Sequence, residues 1–298
     1  MSGSIASEVS GQAKALVGLI GAGIGPSLSP ALHEQEARHL GLRLHYQLID
    51  LDRTGSGVEA LPGLLLSART MGYAGLNITY PCKQAVMPLL DAVSDDARAM
   101  GAVNTVVFKD GRLTGHNTDG SGWAWAFQRA LPQADLSCAV LLGTGGAGSA
   151  IAHAALRLGV MKLRLFDRDV GRAEQLAVEL NTLYGAGRAL ACGDIAAAMD
   201  GATGLIHATP TGMSKLPGMP LPAELLRAPL WVSEVVYFPL QTALLQNARE
   251  RGCAVVDGGG MAVGQAVGAF ELFTGLRADA QRMAAHFACL LAERAADR

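Results

Sequence analysis

From residue 138 onward, strand-like segments alternate with helix-like ones, and the strands are apolar along their length rather than at every second position. Residues 138–142, 163–166, 204–207, 230–236 and 253–256 form such runs, with helical stretches at 149–157, 172–183 and 242–251. A strand that is apolar on both faces must be covered on both faces, which is the condition of a parallel sheet between layers of helix. The first half follows the same theme less regularly. Strands are expected at 15–21, 42–49 and 75–78, helices at 31–40, 58–71 and from 84 to 90, and a hairpin at 105–109 and 112–116 around Asp110-Gly111. Two further helices, 261–273 and 279–294, close the chain. With 298 residues the chain exceeds one comfortable core, so two α/β domains are expected.

Two glycine-rich turns follow strands. Gly21-Ala22-Gly23-Ile24-Gly25-Pro26 lacks the third glycine that would let a helix pack closely on its strand, and Pro30 delays the helix further, so it reads as a flexible loop. Gly143-Thr144-Gly145-Gly146-Ala147-Gly148 has all three glycines: one for the tight turn, one for backbone approach to a pyrophosphate, one for close helix–strand packing. Asp167 ends the next strand, at the spacing where a carboxylate meets ribose hydroxyls. Together they predict a dinucleotide site.

Composition excludes other classes. The net charge is −2 with no block of like charge, which gives no footprint for nucleic acid. No apolar run is long enough to span a bilayer, so no membrane partner is expected. Five scattered cysteines without a C-x-x-C pair read as reduced thiols of a cytosolic protein. Residues 1–12 are small and polar, a loose tail rather than a signal peptide. His33, Glu34 and His39 are wrongly spaced for a metal site on one helix face, and no metal is expected; this helix reads as solvated surface with His33 at a site's margin.

Several polar clusters have plain structural explanations when taken singly. Ser27 and Ser29 could cap a helix, Asn77 and Asn117 could make turns, and Lys83 could be a solvated lysine. In series they resemble a known family. S-x-S-P-x-x-H at 27–33, N-x-T-x-P-x-K at 77–83, G-A-V-N at 101–104, N-T-D-G at 117–120 and G-x-G-G-A at 143–147 stand in the order seen in shikimate dehydrogenases, and Asp257-Gly258 through Met261 and Gln265 resembles that family's closing motif. The pattern is most similar to the quinate/shikimate dehydrogenases.

The resemblance implies a substrate domain over 1–120 with an open, mostly parallel α/β sheet, a Rossmann-type cofactor domain over 121–262, and C-terminal helices over 263–298 that return to the first domain. It implies hydride transfer between a hydroxyl of shikimate or quinate and NAD or NADP, in the cytoplasm, with a homodimer left open. By motif, Lys83 and Asp119 flank the reacting hydroxyl, Ser27 and Ser29 bind the substrate carboxylate, and Thr79, Asn104, Tyr237 and Gln265 contact the carboxylate or ring hydroxyls. Gly143, Thr144, Gly145, Gly146, Ala147, Asp167, Arg168, Thr209, Val235 and Gly258 are the implied cofactor contacts. Oxidising an alcohol needs a positioned base. Lys83 and Asp119 would titrate as a unit, so which of them carries the proton stays open.

The chain departs from the family pattern in three places. Thr144 replaces the usual alanine, His207 stands where asparagine is general, and Asp167-Arg168-Asp169 replaces the Asn-Arg-Thr of NADP-dependent members. Two carboxylates would repel a 2′-phosphate, so NAD is favoured, although Arg168 argues the other way. A related aminoshikimate or methylene-tetrahydrofolate dehydrogenase, or a non-catalytic dinucleotide sensor, are the alternatives. A sensor would have no need of Lys83 and Asp119 together.

Overall fold

The computed structural model describes residues 13–296, and the tail expected over residues 1–12 lies outside them. The strands assemble into two six-stranded sheets. The first contains β1 (Lys14–Gly21), β2 (Arg43–Asp50), β3 (Gly75–Ile78), β4 (Ala92–Val93), β5 (Thr105–Lys109) and β6 (Arg112–His116), in the order β2-β1-β3-β5-β6-β4. β1 is parallel to β2 and β3, and β4 to β6, while β5 runs antiparallel between β3 and β6. The carboxyl ends of β1, β3 and β6 therefore lie along one edge. The second sheet contains β7 (Cys138–Leu142), β8 (Lys162–Phe166), β9 (Ala189–Ala191), β10 (Gly204–His207), β11 (Trp231–Glu234) and β12 (Ala254–Val256), in the order β12-β11-β10-β7-β8-β9. All its pairs are parallel. The order reverses between β7 and β10, which is the switch point of a Rossmann-type sheet, where ligands bind outside the carboxyl ends of the strands.

The helices are α1 (Ser29–His39), α2 (Leu51–Thr54), α3 (Leu61–Thr70), α4 (Cys82–Ala85) and α5 (Asp95–Met100) in the first half. They are α6 (Asp119–Ala130), α7 (Gly146–Leu158), α8 (Val170–Tyr184), α9 (Ile195–Met199) and α10 (Ala243–Glu250) in the second, followed by α11 (Gly258–Thr274) and α12 (Ala280–Ala296). The single helix expected from 84 to 90 is instead α4 and a separate 3-10 turn, Met87–Leu89. Pro88 lacks the N–H that a continuing helix needs.

The helix least visible in the sequence is α6. Its segment holds two glycines and three aromatic residues, a poor set for an isolated helix. Tertiary contact supplies what propensity lacks. Trp123 and Phe127 are buried in the core of the second sheet with Ile151, Leu163 and Trp231, and the Trp123 indole donates to Ser233 Oγ at 2.9 Å. On its other side α6 crosses α11 so closely that a Cβ at Gly264 would stand 2.7 Å from Gly122 Cα. The divisions expected after residues 120 and 262 fall within α6 and α11, so both helices run continuously across them.

The last two helices return to the first sheet. Val263, Ala266 and Phe270 of α11 and Met283 and Phe287 of α12 share a core with Leu32, Ala37 and Leu42. A fully buried phenylalanine such as Phe270 contributes about 1.5–3 kcal/mol relative to exposure. Arg282 of α12 donates from Nε at 2.8 Å and Nη2 at 2.6 Å to the buried Glu36 carboxylate of α1, a bidentate fastening between the two ends of the chain. Among the described residues no helix is long and apolar enough to cross a membrane.

Candidate active site

Lys83 lies on α4, just after β3, and Asp119 opens α6, just after β6. The shared strand edge brings them together: Lys83 Nζ stands 2.6 Å from Asp119 Oδ2, with the aspartate 1% exposed and the lysine 21%. The other oxygen, Oδ1, accepts from Asn104 Nδ2 at 2.9 Å, and the Asp119 N–H is held by Asn117 Oδ1 at 2.9 Å. Asn104 is expected to contact substrate, yet its amide is fully engaged by protein. Nδ2 donates to Asp119 and to Thr118 Oγ1, and Oδ1 accepts from the Thr118 N–H and the Thr105 hydroxyl. Its side chain thus ties Asp119 to Thr105 and Thr118.

The network continues toward the two serines. Asn77 Nδ2 donates to Thr105 Oγ1 at 3.1 Å, and Asn77 Oδ1 accepts from the Tyr46 hydroxyl at 2.7 Å. Tyr46 also hydrogen-bonds the Ser29 side chain, and burial pushes its phenol far above the ordinary range against a smaller lowering by that bond. Ser27 Oγ donates to Ser29 Oγ at 3.1 Å. Leu28 rather than a serine is the cap residue of α1 and makes no side-chain cap bond, while Ser27 Oγ accepts from the Ser29 N–H at the start of the helix at 3.2 Å. A line of polar contacts thus runs from Ser27 through Tyr46, Asn77 and Asn104 to Lys83.

Tyr46, Thr105 and Thr118 are site residues that sequence reasoning missed. Thr118 stands inside N-T-D-G and was within reach, whereas Tyr46 carries no local signal. The surface reading of His33 is corrected: it is 1% exposed, with its ring centroid 4.8 Å from that of Tyr46 and with Phe270 and Phe273 nearby. Burial lowers its pKa to about 3, which keeps the ring neutral. Thr79, at the end of β3, is half-buried against Gly21. Gln265 lies on α11 beside Gly122. Tyr237 follows β11, 42% exposed, with its ring 6.4 Å from Phe287.

The second glycine turn fits a dinucleotide. Gly143 has φ of 93°, a conformation that favours glycine. A Cβ at Gly148 would lie 1.9 Å from the Gly143 carbonyl oxygen, and one at Gly145 would meet nothing within 4 Å. Gly145 caps α7 without any side-chain bond, which leaves the helix's first N–H groups for an anion. Ala147 follows Gly146 in the first turn of that helix. A Cβ at Gly146 would come within 4.0 Å of Lys83 Cδ, so the loop lies beside the Lys83–Asp119 pair. Asp167 binds the loop: Oδ2 accepts from the Thr144 N–H at 2.7 Å and its hydroxyl at 2.9 Å, and Oδ1 accepts from the Asp169 N–H at 3.0 Å. Burial alone would raise the Asp167 pKa. The bonds from Thr144 and Asp169, with the charge of Arg172, outweigh it and hold the carboxyl below its usual value. Arg168 is exposed next to it.

The first glycine turn is tied to the end of β2. Asp50, at the end of β2, accepts from the N–H groups of Gly23 at 2.9 Å and Gly25 at 3.1 Å. A protein carboxylate thus takes up donors that a phosphate would need. Thr209 follows β10 with its methyl against Gly143, and Gly258 opens α11 so close to β11 that a Cβ would stand 2.4 Å from Val235 O. Among the described residues no group of three His, Cys, Asp or Glu side chains could hold a metal ion.

Residues 19–106 match the shikimate dehydrogenase substrate binding domain and residues 258–286 the shikimate 5′-dehydrogenase C-terminal domain. A shikimate dehydrogenase (NADP(+)) of Streptomyces avermitilis is 58% identical over 275 residues, covering 92% of this chain and 94% of that protein. This chain belongs to the shikimate dehydrogenase family. As a member of that family of dehydrogenases it is an oxidoreductase. A quinate/shikimate dehydrogenase (NAD(+)) of Corynebacterium efficiens is 44% identical over 278 residues, covering 92% of this chain and 98% of that protein. The solved structure of quinate dehydrogenase from Corynebacterium glutamicum in complex with NAD superposes with a TM-score of 0.87 at 43% identity, over 93% of this chain and 99% of that one. The shikimate dehydrogenase fold thus spans the two sheets described above.

Proposed function

We propose that this chain catalyses reversible hydride transfer between a ring hydroxyl of shikimate or quinate and NAD or NADP, giving 3-dehydroshikimate or 3-dehydroquinate. The observation that carries this reading is the Lys83–Asp119 pair at 2.6 Å, placed beside the glycine loop. The first 120 residues bind the substrate, residues 121–262 hold the dinucleotide, and the last helices close on the first part.

The nicotinamide, when bound, supplies the hydride chemistry. Lys83 and Asp119 together take the hydroxyl proton in oxidation and return it in reduction. Asn104, Asn117 and Thr118 fix the orientation of Asp119, and Ser27 and Ser29 bind the substrate carboxylate at the far end of the polar line. Thr79, Tyr237 and Gln265 complete the substrate contacts. Gly143 to Ala147 hold the pyrophosphate, Asp167 meets the adenosine ribose, and Thr209, Val235 and Gly258 line the other half of the crevice. Assays with quinate, shikimate or no substrate, each with NAD and NADP and read by absorbance of the reduced cofactor, test the reading. Absence of substrate-dependent reduction in all of them would sink it and favour the sensor.

Ser27→Ala and Ser29→Ala are each expected to raise the KM for substrate about ten- to a hundredfold, since a lost bond to a charged group costs about 1.5–3 kcal/mol. The melting temperature of Ser29→Ala should barely move, and that of Ser27→Ala should fall only slightly, since the one helix-start bond either serine accepts is the Ser29 N–H to Ser27 Oγ. Unchanged KM in both variants would remove them from the carboxylate site.

For the cofactor we propose NAD, on the strength of Asp167 and Asp169. The Asp167 carboxyl, held below its usual pKa, is negative at neutral pH and opposes a 2′-phosphate. Exposed Arg168 supports the second reading, NADP. Asp167→Asn is expected to shift the ratio of kcat/KM values toward NADP at fixed ionic strength. A wild type that already prefers NADP, or a ratio that does not move, would assign the ribose end to Arg168.

A further inference from the structure

We propose that His207 and Glu234 form a buried clamp that sets the affinity of the β10–β12 half of the second sheet for a dinucleotide, acting through the Thr209 hydroxyl. This rests on the dinucleotide reading of the crevice. Both side chains are fully buried, with His207 Nδ1 2.8 Å from Glu234 Oε1. Among the described residues the other partners of the Glu234 carboxylate are donors: the Val235 N–H at 2.9 Å, the Val236 N–H at 3.0 Å and the Thr242 hydroxyl at 2.9 Å. The carboxyl group is the shared acceptor, so His207 Nδ1 carries a hydrogen toward it. Nε2 is left for Thr209, whose Oγ1 lies 2.5 Å away and accepts from the Thr211 N–H at 3.3 Å.

The pair therefore holds two turns at once, 209–211 after β10 and 235–236 after β11. These turns follow the carboxyl ends of neighbouring strands, on the side of the switch point where the second mononucleotide half of a doubly wound sheet binds. Both are wedged against the rest of the crevice. A Cβ at Gly143 would meet Thr209 Cγ2 at 2.8 Å, and one at Gly258 would meet Val235 O at 2.4 Å. A displaced turn therefore pushes on the glycine loop or on the start of α11. Imidazole suits the clamp because its two nitrogens reach opposite partners. Asparagine could still meet Glu234 but is too short to reach Thr209, whereas glutamine extends to about the Nε2 position.

The test measures binding by calorimetry on the full chain, with NAD and with NADP as titrants, together with the melting temperature of the unliganded protein. His207→Asn and Thr209→Val should each weaken the preferred dinucleotide about tenfold. His207→Gln should weaken it less, and the H207N/T209V protein no more than either single change, since both remove the same link. In His207→Asn the cofactor KM should rise in step while kcat and the substrate KM stay near wild type. Wild-type affinity in His207→Asn with a lowered melting temperature would make the pair a core element only and overturn the clamp. Additive losses in the double variant would also overturn it. Should His207→Asn fail to fold, unchanged affinity in Thr209→Val would be enough to reject it. A wild type that binds neither dinucleotide overturns the cofactor reading and this inference with it; a wild type that binds, beside a His207→Asn protein that binds equally well, overturns this inference alone.

Discussion

Lys83→Ala is expected to lower kcat by about two to four orders of magnitude, the range that a positioned acid–base group supplies, while the substrate KM changes little. Nζ is the only cationic group that Asp119 meets among the described residues, at 2.6 Å, and the stem of Lys83 lies beside Gly146, next to the loop that the cofactor would occupy. Removing the side chain takes away one member of the acid–base pair but leaves Ser27 and Ser29 to bind the carboxylate. The measurement is steady-state kinetics in both directions with saturating cofactor. A variant that keeps turnover within a few-fold of wild type would end the acid–base role. A rise in KM with unchanged kcat would make Lys83 a binding group instead.

Asp119→Asn is expected to lower kcat by about two orders of magnitude or more, and to cost stability as well. The substitution is nearly isosteric, yet the network has no place for an amide. An amide nitrogen directed at Lys83 would set donor against donor. Directed at Asn104, it would face Nδ2, again a donor. Asn104 cannot turn over in response, because its oxygen already accepts from the Thr118 N–H and the Thr105 hydroxyl. One buried polar contact is lost in either arrangement, a penalty of about 1–3 kcal/mol. Kinetics and thermal melting on the same preparation read both effects. Full activity with an unchanged melting temperature would contradict the coupled pair, and lost stability with full activity would leave Asp119 a structural residue.

The site was partly legible for a definite reason. The glycine turn at 143–148 and the hairpin at 110–111 are local devices, in which backbone conformation and residue type are tied within a few positions. The strands of the second sheet were equally legible, since burial on both faces demands unbroken apolar runs. Lys83, Asn77, Asn117 and the serines, by contrast, have plain structural explanations one by one. Only their order along the chain, matched to a family, suggested a common site. The burial of His33 is hidden in the sequence because its neighbours Glu34 and His39 are polar, while the packing of Tyr46, Phe270 and Phe273 that buries it comes from distant segments. α6 was not expected at all, since its stability depends on Gly122 meeting Gly264 and on Trp123 entering the second core.

Periodicity and glycine placement act over short spans, so the parallel second sheet, the dinucleotide turn and the residue types available for acid–base chemistry can be read along the chain. Tertiary structure alone decided that Lys83 and Asp119, 36 residues apart, share a hydrogen bond. It did so through β5, which runs antiparallel between β3 and β6 and so puts the carboxyl ends of those two strands on the same edge. It also decided that Asn104 serves Asp119, that Asp50 fills the first glycine turn, and that His207 and Glu234 share one buried site. Such pairings depend on strand register and helix crossing, which bring distant residues within hydrogen-bond reach and leave no trace in the spacing of the chain.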